Sequence, residues 1–277
     1  MPDVIYDVER ASDLKKCSSK YYDKIYPWTN ENMQLLFSNI DVKDKDVLTV
    51  LASSDQLFTS RYLSAKKVDA FDINKLTIYY FYLRTWVMKI FNEPYPSDKF
   101  LYLNDINIYI LINGIKPESI DEEKAKRFWI DYLHNNKYKT NDELFQNILI
   151  KEKCIFKNDL SKVSSNKLNF YNFDILEEDI YEQIDNNKYD IVILSNILEY
   201  TNRFKHYHNI INNLNNILKD DGFVVCSHLI NYKDFVGHKE ELKIFDYFGY
   251  ESYDFYQKYI DSCGKERELG YCYIKKK

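Results

Sequence analysis

Apolar residues follow two alternating patterns along this chain. A short apolar run at 47–52 and a second predicted strand at 66–73, KKVDAFDI, are each followed by a segment whose apolar residues recur every three or four positions. Runs that are near-continuously apolar and partly β-branched are typical of parallel strands covered on both faces. Strand, helix, strand, helix therefore predicts a doubly wound α/β sheet with right-handed crossovers.

Polar residues at the ends of these segments predict helix caps. An N-terminal helix at about 33–40 has Thr29 or Asn30 available as its cap. Asp55 is predicted to cap a helix at 56–65 by accepting hydrogen bonds from the amides of its first turn.

The alternation stops between about 92 and 166, after a strongly apolar helix that Asn74 is predicted to cap. Within this region Ser119-x-x-Glu122 is a capping-box pattern ahead of an amphipathic helix. A second helix is predicted at about 142–150. We therefore predict a mainly helical insertion. Insertions of this size in α/β enzymes often form a lid over the site, and a packing extension of the core is the alternative.

The sheet pattern then resumes. Strands are predicted at 167–175 and 189–196, and Gly222 is expected to end the following helix with a left-handed turn before a strand at 222–230. A last helix near 239–248 leads to SYDFYQKYI and LGYCYIKKK, which are predicted to form a closing hairpin. The predicted organisation is a helical cap over 1–45 and a Rossmann-like domain over 46–277.

Composition narrows the class of protein. The chain has 277 residues, 45% of them hydrophobic, and no stretch approaches the roughly 20 apolar residues that span a bilayer. Its five cysteines are scattered without a Cys-x-x-Cys pair, which predicts reduced thiols and a cytoplasmic protein. The formal charge is −5 with basic residues dispersed, which argues against a nucleic-acid partner. The sequence predicts no metal site and identifies no catalytic residue.

Polar residues follow four of the predicted strands. They are Ser53-Ser54-Asp55, Asp72, Asp174 and Ser195-Asn196. Ligands of open α/β sheets bind at the carboxyl ends of the strands, where the strand order reverses. The recurrence of these residues predicts a ligand site at that edge.

The first turn distinguishes between possible ligands. Asp72 lies 20 residues after Ala52, the separation at which an acid holds the ribose hydroxyls of an adenosine. Dinucleotide-binding folds share this separation, so it does not choose the ligand by itself. A dinucleotide pyrophosphate needs glycines at the first turn, but the first glycine of the chain is Gly114. Asp55 would repel that pyrophosphate and would tolerate the cationic S-adenosylmethionine. Charge therefore predicts S-adenosylmethionine rather than NAD or FAD.

Two stretches resemble a known family. VLTVLASSDQLFTSRYLSAKKVDAFDIN (47–74) resembles the first two motifs of class I S-adenosylmethionine-dependent methyltransferases. KYDIVILSNILEYTNRFKHYHNIINNLNNILKDDGFVV (188–225) resembles their fourth strand, the following helix and the entry to the fifth strand. The resemblance spans about 40–277 outside the insertion, and it implies a mostly parallel seven-stranded sheet. More narrowly, LTVLASSD and the FWIDYL…LF insertion resemble the branch that contains betaine-lipid aminocarboxypropyl transferases, and YPWTNEN is similar to uncharacterised bacterial relatives of that kind.

The resemblance also implies roles for individual residues. The family usually has glycines where this chain has Leu51, Ser53 and Asp55, and serine or aspartate can still form such a turn. Tyr26, Trp28 and Thr29 could close over the cofactor or serve as a packing staple. By position, the methionine part of the cofactor would be faced by Ser53, Ser54, Asp55 and Gln56. Asp72 would hold the ribose, Ile73 would pack on the adenine, and Asp174, with Ile175 beside it, would accept from the adenine amino group. The floor beneath the sulfonium would be lined by Ser195 and Asn196.

Three functions remain open from the sequence. The first is methyl transfer from S-adenosylmethionine to a small molecule. The second is transfer of the aminocarboxypropyl group to a lipid or metabolite, which attacks the same sulfonium at a different carbon. The third is a non-catalytic binding protein that keeps the fold, suggested by the glycine-free turn.

Overall fold

The computed structural model describes part of the chain, and the elements below lie within it. The described residues are 25–26, 28–29, 31–91, 106–135, 168–175, 180–184, 188–197, 203–228, 250–260, 264 and 266–276. Their elements are α1 Met33–Ser38, β1 Asp46–Val50, α2 Asp55–Tyr62, β2 Lys67–Phe71, α3 Leu76–Phe91, α4 Ile106–Gly114, α5 Ile120–Asn135, β3 Phe170–Tyr171, α6 Ile180–Gln183, β4 Tyr189–Ser195, α7 Arg203–Ile217, β5 Leu218–His228, β6 Tyr250–Ile260 and β7 Glu266–Lys276.

The strands form one seven-stranded sheet in the order β3-β2-β1-β4-β5-β7-β6. The pairs among β3, β2, β1, β4 and β5 are parallel, and β7 runs antiparallel to both β5 and β6. This arrangement confirms the predicted Rossmann-like methyltransferase fold and the closing hairpin. The strand order reverses between β1 and β4, so the carboxyl ends of these two strands mark the switch point at which such folds bind ligands.

Both faces of the sheet are covered, as the apolar runs predicted. Val47 of β1 packs in a cluster with Phe58 of α2 and Phe81 of α3. The next residue, Leu48, packs on the opposite face with Leu214 of α7. All four residues after Asp46 in β1 are buried, because side chains alternate between faces along a strand and each face carries helices.

The described part of the insertion packs against α3. Trp129 of α5 is fully buried, and its indole Nε1 donates to the Tyr79 carbonyl at 2.8 Å. In the reverse direction, Trp86 of α3 donates through Nε1 to the Glu122 carboxylate at 2.7 Å. These contacts favour the packing extension over a lid for residues 106–135. The helix predicted at 142–150 lies outside the described residues, as does the one predicted near 239–248.

Two of the predicted caps are right. Asn74 accepts from the Leu76 amide at 3.0 Å at the start of α3. Ser119 accepts from the Glu122 amide at 3.1 Å, as a capping box requires. The Glu122 carboxylate departs from the pattern, because it accepts from the Glu118 amide at 2.7 Å as well as from the tryptophan of α3.

Two other caps are corrected. Asn32, rather than Thr29 or Asn30, caps α1 by accepting from the Leu35 amide at 3.0 Å. The N-cap of α2 is Ser54, which has a left-handed backbone and makes no side-chain cap bond. Asp55 is therefore the first residue of α2, and its carboxylate is used elsewhere.

Gly222 does not form the predicted left-handed turn. Helix α7 ends at Ile217, β5 begins at Leu218, and Gly222 lies inside that strand without a positive φ. A Cβ at this position would lie 2.9 Å from the Lys219 carbonyl oxygen and 3.0 Å from that of Tyr189. Glycine is required here because the backbone of β4 approaches closely where the β4–β5 register shifts.

Candidate functional site

The turn after β1 is built without glycine. Ala52 has a φ of +39° and Ser54 a φ of +71°, in the left-handed region that costs a non-glycine residue about 1 kcal/mol or more. Side chains stabilise this backbone. Ser53 donates through Oγ to Asp55 at 2.7 Å, and Arg84 donates to the Ser53 carbonyl. Serine and aspartate therefore form the turn together with an arginine from α3.

Asp55 is engaged in a fully buried ion pair. Its Oδ1 lies 2.7 Å from Nη2 of Arg84, and neither side chain is exposed. Its Oδ2 accepts from the Thr29 amide at 2.9 Å and from the Ser53 hydroxyl. The Arg84 guanidinium also lies 5.0 Å from the centre of the Phe58 ring.

This pair overturns the premise on which a phosphorylated ligand was excluded. The sequence predicts that the Asp55 charge repels a pyrophosphate at short range. Its charge is instead balanced by Arg84 at 2.7 Å, and its side chain is wholly buried. The attraction of the first turn for a cation and its repulsion of a phosphate are therefore not supplied by Asp55. Its role is to stabilise the turn and to bind the segment before α1 through Thr29.

Asp72 connects the end of β2 to the same turn. Its Oδ2 accepts from the Ala52 amide at 2.9 Å, and its Oδ1 accepts from the Asn74 amide at 2.8 Å. Burial raises the pKa of Asp72 to about 6, although those two amides and the Thr77 hydroxyl oppose the rise. At neutral pH this carboxyl group is therefore mostly ionised and acts as an acceptor.

Glu31 is a site residue that the sequence reasoning missed. It lies just before α1 and is 1% exposed. Its Oε1 accepts from the hydroxyls of Ser195, at the end of β4, and Ser227, near the end of β5. Its Oε2 accepts from Nε2 of Gln56 in the first turn of α2 at 2.8 Å. Glu31 thus brings together the ends of β4, β5 and the first crossover.

The sequence carries only a weak signal for Glu31. Glu31 belongs to YPWTNEN, a segment that sequence reasoning singled out for Tyr26, Trp28 and Thr29. Thr29 accepts from the Glu31 amide at 3.0 Å and so shapes the turn. A single acid in a polar stretch is ordinarily solvated, so sequence alone did not distinguish Glu31.

The other predicted residues lie at the ends of β2, β3 and β4. Ile73 is partly exposed, and its carbonyl accepts from Asn172 at 2.9 Å. Asp174 is half-buried, and Ile175 beside it is buried. Ser195 is buried with a φ of +53°, and Asn196 is half-buried. The structure brings Ser195 and Gln56 together through Glu31, and it joins Asp72 to the first turn.

Three buried oxygen atoms of the first crossover have no hydrogen-bond partner in the part of the chain that the structure describes. They are Ser54 Oγ, Gln56 Oε1 and Thr59 Oγ1. Buried polar atoms in folded proteins are almost always hydrogen-bonded to protein, water or ligand. A polar ligand at this crossover would therefore find donors and acceptors already buried and oriented.

Among the described residues, no three His, Cys, Asp or Glu side chains are grouped so that they could hold a metal ion. No helix in the ranges given above combines the length and apolarity needed to cross a membrane.

Comparisons with known proteins gave low similarities. No protein-family profile matches the chain, and no curated protein matches it. Among solved structures it is similar to the N-methyltransferase NodS from Bradyrhizobium japonicum in complex with S-adenosylhomocysteine, at 8% identity over 98% of each chain and a TM-score of 0.43. It is also similar to precorrin-6y C5,15-methyltransferase from Geobacter metallireducens, at 9% identity over 91% of this chain and 95% of that one, with a TM-score of 0.42. A ribosomal protein L11 methylase from Lactobacillus delbrueckii subsp. bulgaricus is 14% identical over 88% of this chain and 76% of its own, with a TM-score of 0.38. The fold assignment rests on the chain's own strand order rather than on these similarities.

Proposed function

We propose that this chain is an S-adenosylmethionine-dependent methyltransferase that acts on a small molecule. The observation that carries the proposal is the position of Asp72 beside a first turn that contains no glycine and whose Ala52 amide is already bonded to Asp72, because a dinucleotide pyrophosphate would need the open amides of a glycine-rich turn. The Asp72 carboxylate follows β2, beside the switch point, and is held by the amides of Ala52 and Asn74. An ionised carboxyl group at the end of the second strand is what a ribose diol requires in folds of this strand order.

The residues present fit an adenosyl donor. Asp72 accepts from two backbone amides and interacts with the Thr77 hydroxyl, and a carboxylate has about four acceptor positions. Ser54 Oγ and Gln56 Oε1 at the first crossover, which have no partner within the described ranges, suit the polar methionine end. We therefore assign the ribose to Asp72 and the methionine end to Ser54 and Gln56.

The remaining predicted residues complete the proposed site. Ile73 would pack against the adenine, and Asp174, with Ile175 beside it, would accept from the adenine amino group. Ser195 and Asn196 would line the floor beneath the sulfonium. Asp55 acts indirectly, because its ion pair with Arg84 stabilises the turn on which Ser54 and Gln56 lie.

Methyl transfer requires little from the protein beyond the positioning of the donor and the acceptor. When bound, S-adenosylmethionine supplies an electrophilic methyl group on a cationic sulfur. In-line displacement is accelerated mainly by alignment and by exclusion of water. Asp72 and the first crossover would fix the two ends of the donor, and the buried surroundings of Ser195 would keep water from its centre.

Calorimetry with S-adenosylhomocysteine and S-adenosylmethionine tests the proposal. The wild-type protein should bind both, and Asp72→Asn should bind at least tenfold more weakly. Asp121→Asn, the same change at an exposed position of α5, should bind like the wild type. Absence of binding to the wild type at millimolar ligand would overturn the proposal, and so would equal binding by Asp72→Asn. In turnover assays, formation of S-adenosylhomocysteine as the co-product supports methyl transfer. Formation of methylthioadenosine would instead indicate aminocarboxypropyl transfer.

A further inference from the structure

Four buried residues from separate parts of the chain form a polar cluster around Glu31, here called the Glu31 cluster. Its members are Glu31, Gln56, Ser195 and Ser227, none more than 7% exposed. They come from the segment before α1, the first turn of α2, the end of β4 and β5. The cluster therefore lies on the β4–β5 side of the switch point and is joined to the first crossover by Gln56.

The hydrogen bonds within the cluster fix its polarity. Both serine hydroxyls and the Gln56 Nε2 group donate to the Glu31 carboxylate. Because Nε2 is committed to Glu31, the other end of the Gln56 amide is an acceptor. That oxygen, Oε1, is buried and has no partner among the described residues. A carboxylate and an acceptor oxygen side by side select a ligand group that is both cationic and rich in N–H donors.

Neighbouring charges reinforce this selection. Arg84 is paired with Asp55 and bonded to the Ser53 carbonyl, so its positive charge is already compensated. An anion such as a phosphate would meet the Glu31 carboxylate at short range in a medium of low dielectric constant. An ammonium group would be attracted by it.

We propose that the Glu31 cluster is a binding subsite for an ammonium group. Its location beside the adenosyl donor rests on the function proposed above. The ammonium has two possible sources with the same chemistry. One is the α-ammonium of the donor's methionine part, and the other is an amine on the acceptor.

Paired ligands distinguish the two sources. S-adenosylhomocysteine carries the α-ammonium, whereas methylthioadenosine lacks the whole aminocarboxypropyl portion. The affinity ratio of these two ligands is measured on the full chain for the wild type, Glu31→Gln and Glu123→Gln, an exposed control on α5. In a second arm, ethanolamine and the neutral ethylene glycol are titrated into protein saturated with S-adenosylhomocysteine. The ratios compare ligands on the same folded sample, so partial loss of stability does not mimic the result.

The outcomes separate as follows. If the donor supplies the ammonium, Glu31→Gln lowers the preference for S-adenosylhomocysteine by about tenfold or more, about 1.4 kcal/mol, while methylthioadenosine binding changes less than about twofold. If the acceptor supplies it, the wild type prefers ethanolamine to ethylene glycol and Glu31→Gln loses that preference.

The subsite is refuted if the wild type binds the adenosyl ligands and Glu31→Gln alters neither preference. If the wild type binds no adenosyl ligand, the proposed function fails first, and the ethanolamine arm, repeated on the unliganded protein, decides the subsite alone. Gln56→Leu repeats the test where Glu31→Gln does not fold.

Discussion

Replacing Arg84 with methionine tests how the glycine-free turn is held. Methionine keeps an apolar side chain over Phe58 but removes the charge that faces Asp55 and the donor to the Ser53 carbonyl. Because both members of the pair are fully buried, removing one leaves an uncompensated charge. Such changes cost about 3–5 kcal/mol, a large part of the roughly 5–15 kcal/mol that stabilises a domain.

Urea unfolding measures this cost. At an m value of about 2–3 kcal/mol per molar urea, Arg84→Met should lower the midpoint by roughly 1–2.5 M. Asp55→Asn alone should also destabilise, because it leaves the Arg84 charge unpaired. The double variant should be more stable than the sum of the two single effects predicts, by up to about 3 kcal/mol.

The chain contains a matched control for this experiment. Arg127 and Glu123 pair four residues apart on α5, with 67% and 50% of their side chains exposed. Arg127→Met should cost under about 0.5 kcal/mol, because exposed pairs contribute little. The reasoning is refuted if Arg84→Met costs less than about 1 kcal/mol, or if the effects of Asp55→Asn and Arg84→Met simply add.

The remaining predictions concern pH and packing. Affinity for S-adenosylhomocysteine should fall as the pH is lowered from 8 to 5, because Asp72, with its pKa at about 6, becomes protonated; calorimetry at several pH values measures this. The raised pKa also means that the stability contributed by Asp72 is full below pH about 4 and is lost as the pH rises through about 6; pH-dependent urea unfolding checks this. Burial tends to raise the pKa of Asp190, but the Asp46 amide and the Lys219 ammonium outweigh it, so the pKa is lowered. Asp190 therefore stabilises the folded protein above pH about 4, and this contribution is lost on acidification. Lys219→Met should make that acid loss shallower in the same unfolding series. Gly222→Ala should destabilise by about 1–3 kcal/mol through overlap with backbone oxygens, whereas Gly114→Ala, with open space around it, should be neutral or slightly stabilising in thermal unfolding.

The strands were predictable because burial on both faces leaves a local signal. The run at 47–52 corresponds to Asp46–Val50, and the run at 189–196 to Tyr189–Ser195. The run at 167–175 was less informative, since only Phe170–Tyr171 pairs as a strand. There the apolar residues continue beyond the ladder, and Phe173 stacks on Phe71 with ring centres 4.8 Å apart.

The partner of Asp55 could not be identified from local pattern, but it left a signal. Arg84 is 29 residues away on α3, so no cap rule connects the two. Arg84 lies four residues after Tyr80, on the buried face of that helix. A charge at such a position requires a buried partner, and the polar residues of the first crossover were the nearest candidates by topology.

The glycine-free turn also changes which group determines the charge of the site. A glycine-rich turn leaves its backbone amides open to a phosphate. Here the Ala52 amide is bonded to Asp72, the Ser53 carbonyl to Arg84, and Asp55 to that same arginine. These three groups of the turn are thus engaged within the protein, and the Asp55–Arg84 pair carries no net charge. Besides Asp72, a second buried carboxylate beside the switch point belongs to Glu31, which lies in the segment before α1. In the proposed subsite, preference for a cationic ligand therefore depends on a residue outside the motifs that resemble the family. Selection of the ligand and the packing of the carboxyl ends of β4 and β5 are therefore coupled in the proposed subsite, because the same glutamate binds the serine hydroxyls at both ends.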